Sequence, residues 1–106
     1  MSYILEAHRG VSSECPENTM SAFRAAYELG YGMIELDTKF TADQRCVILH
    51  DRTLNRTGRG PGASVLSEEI RIDCVTFEEA RRYDFGVWKG ERFRGEKIPS
   101  LEEVLA

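Results

Sequence analysis

Cysteine is sparse in this sequence and unpatterned. Cys15, Cys46 and Cys74 are its three cysteines in 106 residues, with no CxxC pair and no Cys/His spacing of a zinc site. An odd, scattered set argues against a disulfide framework and predicts reduced thiols in a cytoplasmic protein. Runs of like charge are also missing: 14 Lys and Arg are interspersed with 18 Asp and Glu, for a formal charge of -4. A general nucleic-acid surface needs clustered cations to release counterions, so no nucleic-acid partner is expected. An anionic ligand would have to be met locally, by a metal or a few arginines. Long apolar runs are absent too. The opening "MSYILEAHRG" has no basic region and only a brief apolar run, and no later stretch approaches the ~20 apolar residues of a membrane span. Neither export nor a membrane anchor is expected. Histidine occurs only as His8 and His50, and no internal repeat or low-complexity segment is visible.

The sequence does have enough apolar material, 42% of its residues, for one modest core. "SYILEA" reads as a short strand that stops at His8-Arg9-Gly10, and "VSSECPENT" follows as a loop. Met20, Phe23, Tyr27 and Gly30 then fall at helical spacing, which predicts a helix over residues 17–29 with Pro16 at its start and Gly30 as its stop. In "GMIELDTKF", Ile34 and Leu36 alternate with Met33, Glu35 and Asp37, as the two-residue period of a strand requires. Strand, helix, strand favours parallel pairing through a right-handed crossover. "TADQR" is a turn and "CVILHD" a further strand. From residue 52 to 97 regular alternation stops, and at most one helical segment, at 76–83, is predicted in an excursion off the sheet. "IPSLEEVLA" carries Ser100 as a helix N-cap and Glu103 three positions on as its capping-box partner, so a helix starts at Leu101.

Glu35 and Asp37 leave one face of their strand with alpha carbons roughly 6.5 Å apart. They either form a solvated strand face or grip one hard cation, and oxygen-only ligation points to Mg2+ or Ca2+ rather than zinc. Covered parallel strands normally read as near-continuous apolar runs, so carboxylates there need a reason. His8 and His50 each sit at the predicted C-terminal end of a strand, the edge where active sites of parallel α/β folds collect. Such a pair could share acid and base roles about a scissile bond. Arg9 offers a guanidinium fork that suits a phosphate oxygen or a surface ion pair. Glu17 and Asn18 lie where a helix N-terminus favours a carboxylate and an Asn cap. "TGRGPG" lacks the Gly-Lys-Ser/Thr ending of a phosphate-binding loop. "DFG" at Asp84 to Gly86 has no kinase motif to accompany it, so both are chance matches. Phe85, Trp88 and Phe93 could face a ligand, though aromatics of such an excursion more often build its own small core.

In order and spacing, "AHRG", "PENT" with "AF", "ELD" continuing to "T-A-D", "HD" with "TLNRT", and "IPSLEEVL" resemble the glycerophosphodiester phosphodiesterase family, from Ala7 to Leu105. The resemblance implies an α/β fold, the N-terminal part of a TIM-type (β/α)8 barrel: residues 1–51 hold barrel strands and the first helix, 52–97 the family's insertion, and 98–106 the start of the next barrel helix. It implies metal-dependent hydrolysis of small-molecule glycerophosphodiesters to glycerol 3-phosphate and an alcohol. Glu35 and Asp37 would be divalent-metal ligands, His8 and His50 the acid/base pair, Arg9 the phosphate binder, and Glu17 with Asn18 supporting groups. The family adds a metal-binding Glu, followed by a Lys, beyond the "LEEVL" helix, and a closed barrel needs about 200 residues or more. The expectation is therefore an incomplete barrel, either contributing to that activity or lacking turnover and self-associating through exposed sheet edges. Phospholipase D-like barrels are a related alternative, disfavoured by the lack of an export signal and the odd cysteine count.

Overall fold

The computed structural model describes residues 6–106, and the first part of the expected first strand lies outside them. β1 (Glu6–His8) and β2 (Met33–Glu35) pair in parallel, with His8 opposite Glu35. Between them runs α1 (Met20–Glu28). The expected strand, helix, strand unit is therefore formed, but its helix begins three residues later than the periodicity suggests. Thr19, not Asn18, is the N-cap, its Oγ1 accepting from the amide of Ala22. Asn18 is instead held in the left-handed region at φ 54°. Pro16 also lies ahead of the helix, where its carbonyl accepts the Thr19 hydroxyl at 2.7 Å.

The buried stripe of α1 is Ala22, Phe23 and Ala26, whereas Tyr27 is exposed. Small residues at 22 and 26 let the helix approach the turn after β1, where Gly10 has φ 80° and a Cβ would stand 2.6 Å from the Ala22 Cβ. The helix ends as expected at Gly30, φ 79°: the Gly30 amide donates to Tyr27 O and the Tyr31 amide to Ala26 O, a Schellman closure.

The expected continuous strand after α1 is broken at Leu36-Asp37. β3 (Thr38–Phe40) turns away from β2 and pairs antiparallel with β4 (Cys46–Ile48), while Asp37 O accepts the Leu49 amide at 3.0 Å. The 41–45 turn between them is anchored by Thr41, whose amide and hydroxyl engage Arg45, and Gln44 takes φ 63°. Two-stranded pairs are the only sheets among the described residues.

The main core lies largely in the segment expected as an irregular excursion. Leu54, Ile72, Val75, Ala80, Phe85 and Ile98 pack with Val47 and Leu49 at the end of β4. Phe85 is thus a core residue. α2 (Phe77–Ala80), shorter than the expected helical segment, starts with a capping box between Thr76 and Glu79. Asp84 staples the region, its carboxylate accepting the amides of Gly86, Val87 and Gly95. α3 (Leu101–Leu105) begins with the predicted Ser100/Glu103 capping box, and the Ile48 amide donates to Pro99 O just before it. Among the described residues no helix is long and apolar enough to cross a membrane.

Candidate active site

The parallel register of β1 and β2 is what assembles the site. It sets His8 beside Glu35 at the C-terminal ends of both strands, with His8 Nε2 3.4 Å from Glu35 Oε2. The next residue, Arg9, takes φ 57°, an unusual conformation for a residue with a side chain. That twist turns its amide onto Glu35 Oε2 at 3.0 Å and its carbonyl onto the Asn18 amide at 2.9 Å. Two left-handed residues, Arg9 and Asn18, thus brace each other across the loop. Asn tolerates this region because its short polar side chain bonds locally.

The side chains continue the same cluster. Asn18 Nδ2 donates to Asp37 Oδ2 at 3.1 Å, and Arg9 Nη1 donates to Glu17 Oε2 at 3.3 Å. Arg9 Nε lies 3.5 Å from Asp37 Oδ2, an ion-pair distance without hydrogen-bond geometry. This buried N–H and the buried Oδ1 of Asn18 have no hydrogen-bond partner among the described residues. Such atoms are costly unless something else meets them.

His50 lies two residues beyond the end of β4. Its Nδ1 lies 2.7 Å from Asp51 Oδ1. Asp51 is gripped by Arg56 through Nε at 2.9 Å and Nη2 at 3.1 Å, while the same guanidinium holds Glu17 at 2.8 and 2.7 Å. The Arg56 hydrogen bonds hold the Asp51 carboxyl at a pKa of about 2, well below its usual value, with the His50 bond adding to them against the cost of burial. Arg56 likewise lowers Glu17. The guanidinium itself is raised by both carboxylates.

The seven candidate site residues therefore fall into one connected cluster: Arg9 meets Glu35, which meets His8, and Asp37, which meets Asn18, while Glu17 leads from Arg9 through Arg56 and Asp51 to His50. Among the described residues no hydrogen bond joins His8 directly to His50. Glu17 and Asn18 bond to Arg9, Arg56 and Asp37 and do not cap the helix. Arg56 was missed, and its only sequence signal is its place in "TLNRT" just after "HD". A crevice of about 10 Å3 beside Glu17, Asn18 and His50 has room for about one water, and His8 lies at the open surface, its side chain 63% exposed. Among the described residues no group of three or more His, Cys, Asp or Glu side chains converges to hold a metal.

The segment 85–96 backs this loop. Lys89 Nζ donates to Ser12 O, Arg92 Nη2 to Glu14 O, and Glu96 Oε1 accepts the Ser21 amide in the first turn of α1. Trp88 donates its indole N–H to Phe85 O.

Comparison with known proteins matches residues 8–106 to the glycerophosphoryl diester phosphodiesterase family model. A curated relative, the glycerophosphodiester phosphodiesterase of Caldanaerobacter subterraneus subsp. tengcongensis, is 43% identical over 99% of this chain and 40% of its own length. Glycerophosphodiester phosphodiesterase 1 of Homo sapiens is 40% identical over 94% of this chain and 28% of its own. Among solved structures, an Oleispira antarctica phosphodiesterase in complex with the product sn-glycerol-3-phosphate superposes with a TM-score of 0.84 at 32% identity, covering 96% of this chain and 38% of that one. The glycerophosphodiester phosphodiesterase of Agrobacterium tumefaciens gives 0.86 at 31% identity, covering 98% and 42%. The chain spans about 40% of the length of the first of these curated relatives. Its fold is the N-terminal part of a TIM-type barrel.

Proposed function

Because the chain belongs to the glycerophosphoryl diester phosphodiesterase family, we propose that it carries the histidine and carboxylate half of a site that hydrolyses glycerophosphodiesters to glycerol 3-phosphate and an alcohol. The observation that carries this reading is the pairing of His8 with Glu35 at the ends of parallel strands, bonded to Arg9 and linked through Glu17 and Arg56 to the His50-Asp51 pair. Arg9 takes a phosphate oxygen with the face of its guanidinium not spent on Glu17. His8 and His50 divide proton removal from the nucleophile and proton delivery to the leaving alkoxide.

Glu35 and Asp37 are assigned to a divalent cation. The donor set supports this: Glu35 and Asp37 offer only oxygen, and Asn18, whose Nδ2 donates to Asp37, keeps a buried Oδ1 without a partner among the described residues. That chemistry fits Mg2+ or Ca2+ and not zinc. When bound, the cation supplies polarisation of a phosphoryl oxygen and offsets developing negative charge. The three free thiols, Cys15, Cys46 and Cys74, support a reducing compartment, the cytoplasm, as the place of work.

The test is release of glycerol 3-phosphate from glycerophosphocholine with Mg2+ or Ca2+ supplied. Two carboxylates hold a cation weakly, so turnover is expected to be slow, to need the cation, and to vanish in Glu35→Ala. Release that ignores the cation or survives Glu35→Ala refutes the assignment. A second reading, a self-associating piece without turnover, is favoured by one feature: Met33 and Phe40 are 53% and 56% exposed on strands that have one paired edge each among the described residues. Light scattering showing a stable dimer, with no release of product, would select it.

A further inference from the structure

We propose that Arg56 is a positioning residue that, by gripping Asp51 and Glu17 together, fixes the His50 ring with its proton on Nδ1 and ties that ring to Arg9. The catalytic consequence rests on the phosphodiesterase reading above; the positioning itself does not.

The hydrogen bonds around Asp51 determine the tautomer. Asp51 accepts from Arg56 at both oxygens, at 2.9 and 3.1 Å, and an ionised carboxylate can only accept. The 2.7 Å contact with His50 Nδ1 must then be an N–H donated by the imidazole. The neutral ring is left with a bare Nε2, the nitrogen able to take a proton from a nucleophile. A histidine whose ring nitrogen is held in this way owes both its tautomer and its orientation to the group behind it.

The Arg56 side chain is 44% exposed, but several features set it apart from an isolated surface ion pair. All three guanidinium nitrogens are used, in four hydrogen bonds to two carboxylates, and the Glu17 side chain is only 10% exposed. Its backbone sits in a turn with little freedom: Leu54 is fully buried, the Gly58 amide donates to Leu54 O, and a Cβ at Gly58 would stand 2.6 Å from that oxygen. Arg59 Nη1 closes the turn by donating to the carbonyls of Asn55, Arg56 and Gly58. Asn55 pins the turn to the 68–70 segment through the Ile70 amide and Glu68 O. The fork also bridges two chain segments 39 residues apart, so it joins the loop after β1 to the segment after β4. A lysine, as a single point charge, cannot span both carboxylates with paired bonds.

The experiment is imidazole 15N correlation spectroscopy of the 15N-labelled chain at a pH where His50 is neutral. The expected result is a His50 ring protonated at Nδ1 in the wild-type chain and a mixture of both tautomers in Arg56→Gln, with His8 signals unchanged as an internal reference. If Arg56→Gln does not fold, Arg56→Lys carries the test with the same expected mixture. A wild-type ring protonated at Nε2, or a variant that keeps the Nδ1–H form undiminished, overturns the proposal. This readout needs no turnover, so it separates the role of Arg56 from the phosphodiesterase reading. In an active preparation the same substitution should cut kcat roughly 10- to 100-fold, as for other outer partners that orient a functional imidazole.

Discussion

Gly10→Ala should cost the fold about 2–5 kcal/mol, more than the same change at Gly30, although both glycines have nearly the same φ. The two positions take φ 80° and φ 79°. At either, a Cβ incurs the left-handed penalty of about 1–2 kcal/mol. At Gly30 that is the whole effect, since nothing lies within 4 Å of the added atom. At Gly10 the new Cβ also meets the Ala22 Cβ at 2.6 Å, its carbonyl carbon at 2.7 Å and its oxygen at 2.9 Å. Two of those atoms are backbone, so relief requires α1 to move away from the loop, at an overpacking cost of about 1–3 kcal/mol. With roughly 4 °C lost per kcal/mol in a domain of this size, thermal unfolding by circular dichroism should show Gly10→Ala melting ~8–20 °C lower and Gly30→Ala ~4–8 °C lower. The larger shift should come with altered Arg9 and Val11 amide signals, because the Val11 amide donates to Ala22 O. Equal shifts for the two variants would refute the claim that close approach of α1, and not backbone angle alone, requires glycine next to Arg9.

Three further outcomes follow from the same structure. Leu54→Ala removes a fully buried side chain from the main core and should cost about 2–5 kcal/mol in denaturant unfolding, loosening the turn that carries Arg56; a loss under 1 kcal/mol would contradict the core assignment. Asp84→Asn should cost about 2 kcal/mol and flatten acid unfolding. Burial works to raise the Asp84 pKa, but the amides of Gly95, Gly86 and Val87 outweigh it and hold the carboxyl below its ordinary value. Its contribution is therefore full above the unfolded carboxylate pKa and is lost as pH falls through the lower folded one. The wild-type chain should lose stability below about pH 4 more steeply than the variant, and parallel acid curves would count against this. Ser100→Ala removes the side-chain cap of α3 and should cost about 1 kcal/mol, read as a lowered denaturation midpoint; no change would mean that the box adds nothing.

What the sequence disclosed was governed by how local each interaction is. The Ser100/Glu103 box closes within four residues, so its pattern suffices. Parallel pairing of β1 with β2 followed from the strand, helix, strand order, and with it the meeting of His8 and Glu35. The helix start was misread because Pro16, Glu17 and Asn18 suit a helix N-terminus by type. Tertiary bonds to Arg9, Arg56 and Asp37 hold Glu17 and Asn18 in the preceding turn instead. The strand break at Leu36-Asp37 was invisible, since it depends on Asp37 O accepting from Leu49, an interaction of the sheet and not of the alternation. The core of the 52–97 segment showed no period because it is built from turns and short helices, each donating one or two apolar groups. Arg56 could not be singled out from spacing: its two partners lie 5 and 39 residues away.

The most direct measurement is a titration of the 15N-labelled chain with sn-glycerol 3-phosphate and Mg2+, following backbone amides. The account predicts that His8, Arg9, Glu35, Asp37 and His50 shift together along one binding curve, and that Arg9→Ala abolishes the response. No response at millimolar ligand, or shifts confined to the separate cleft between Pro61, Arg82, Arg94 and Lys97, would contradict it.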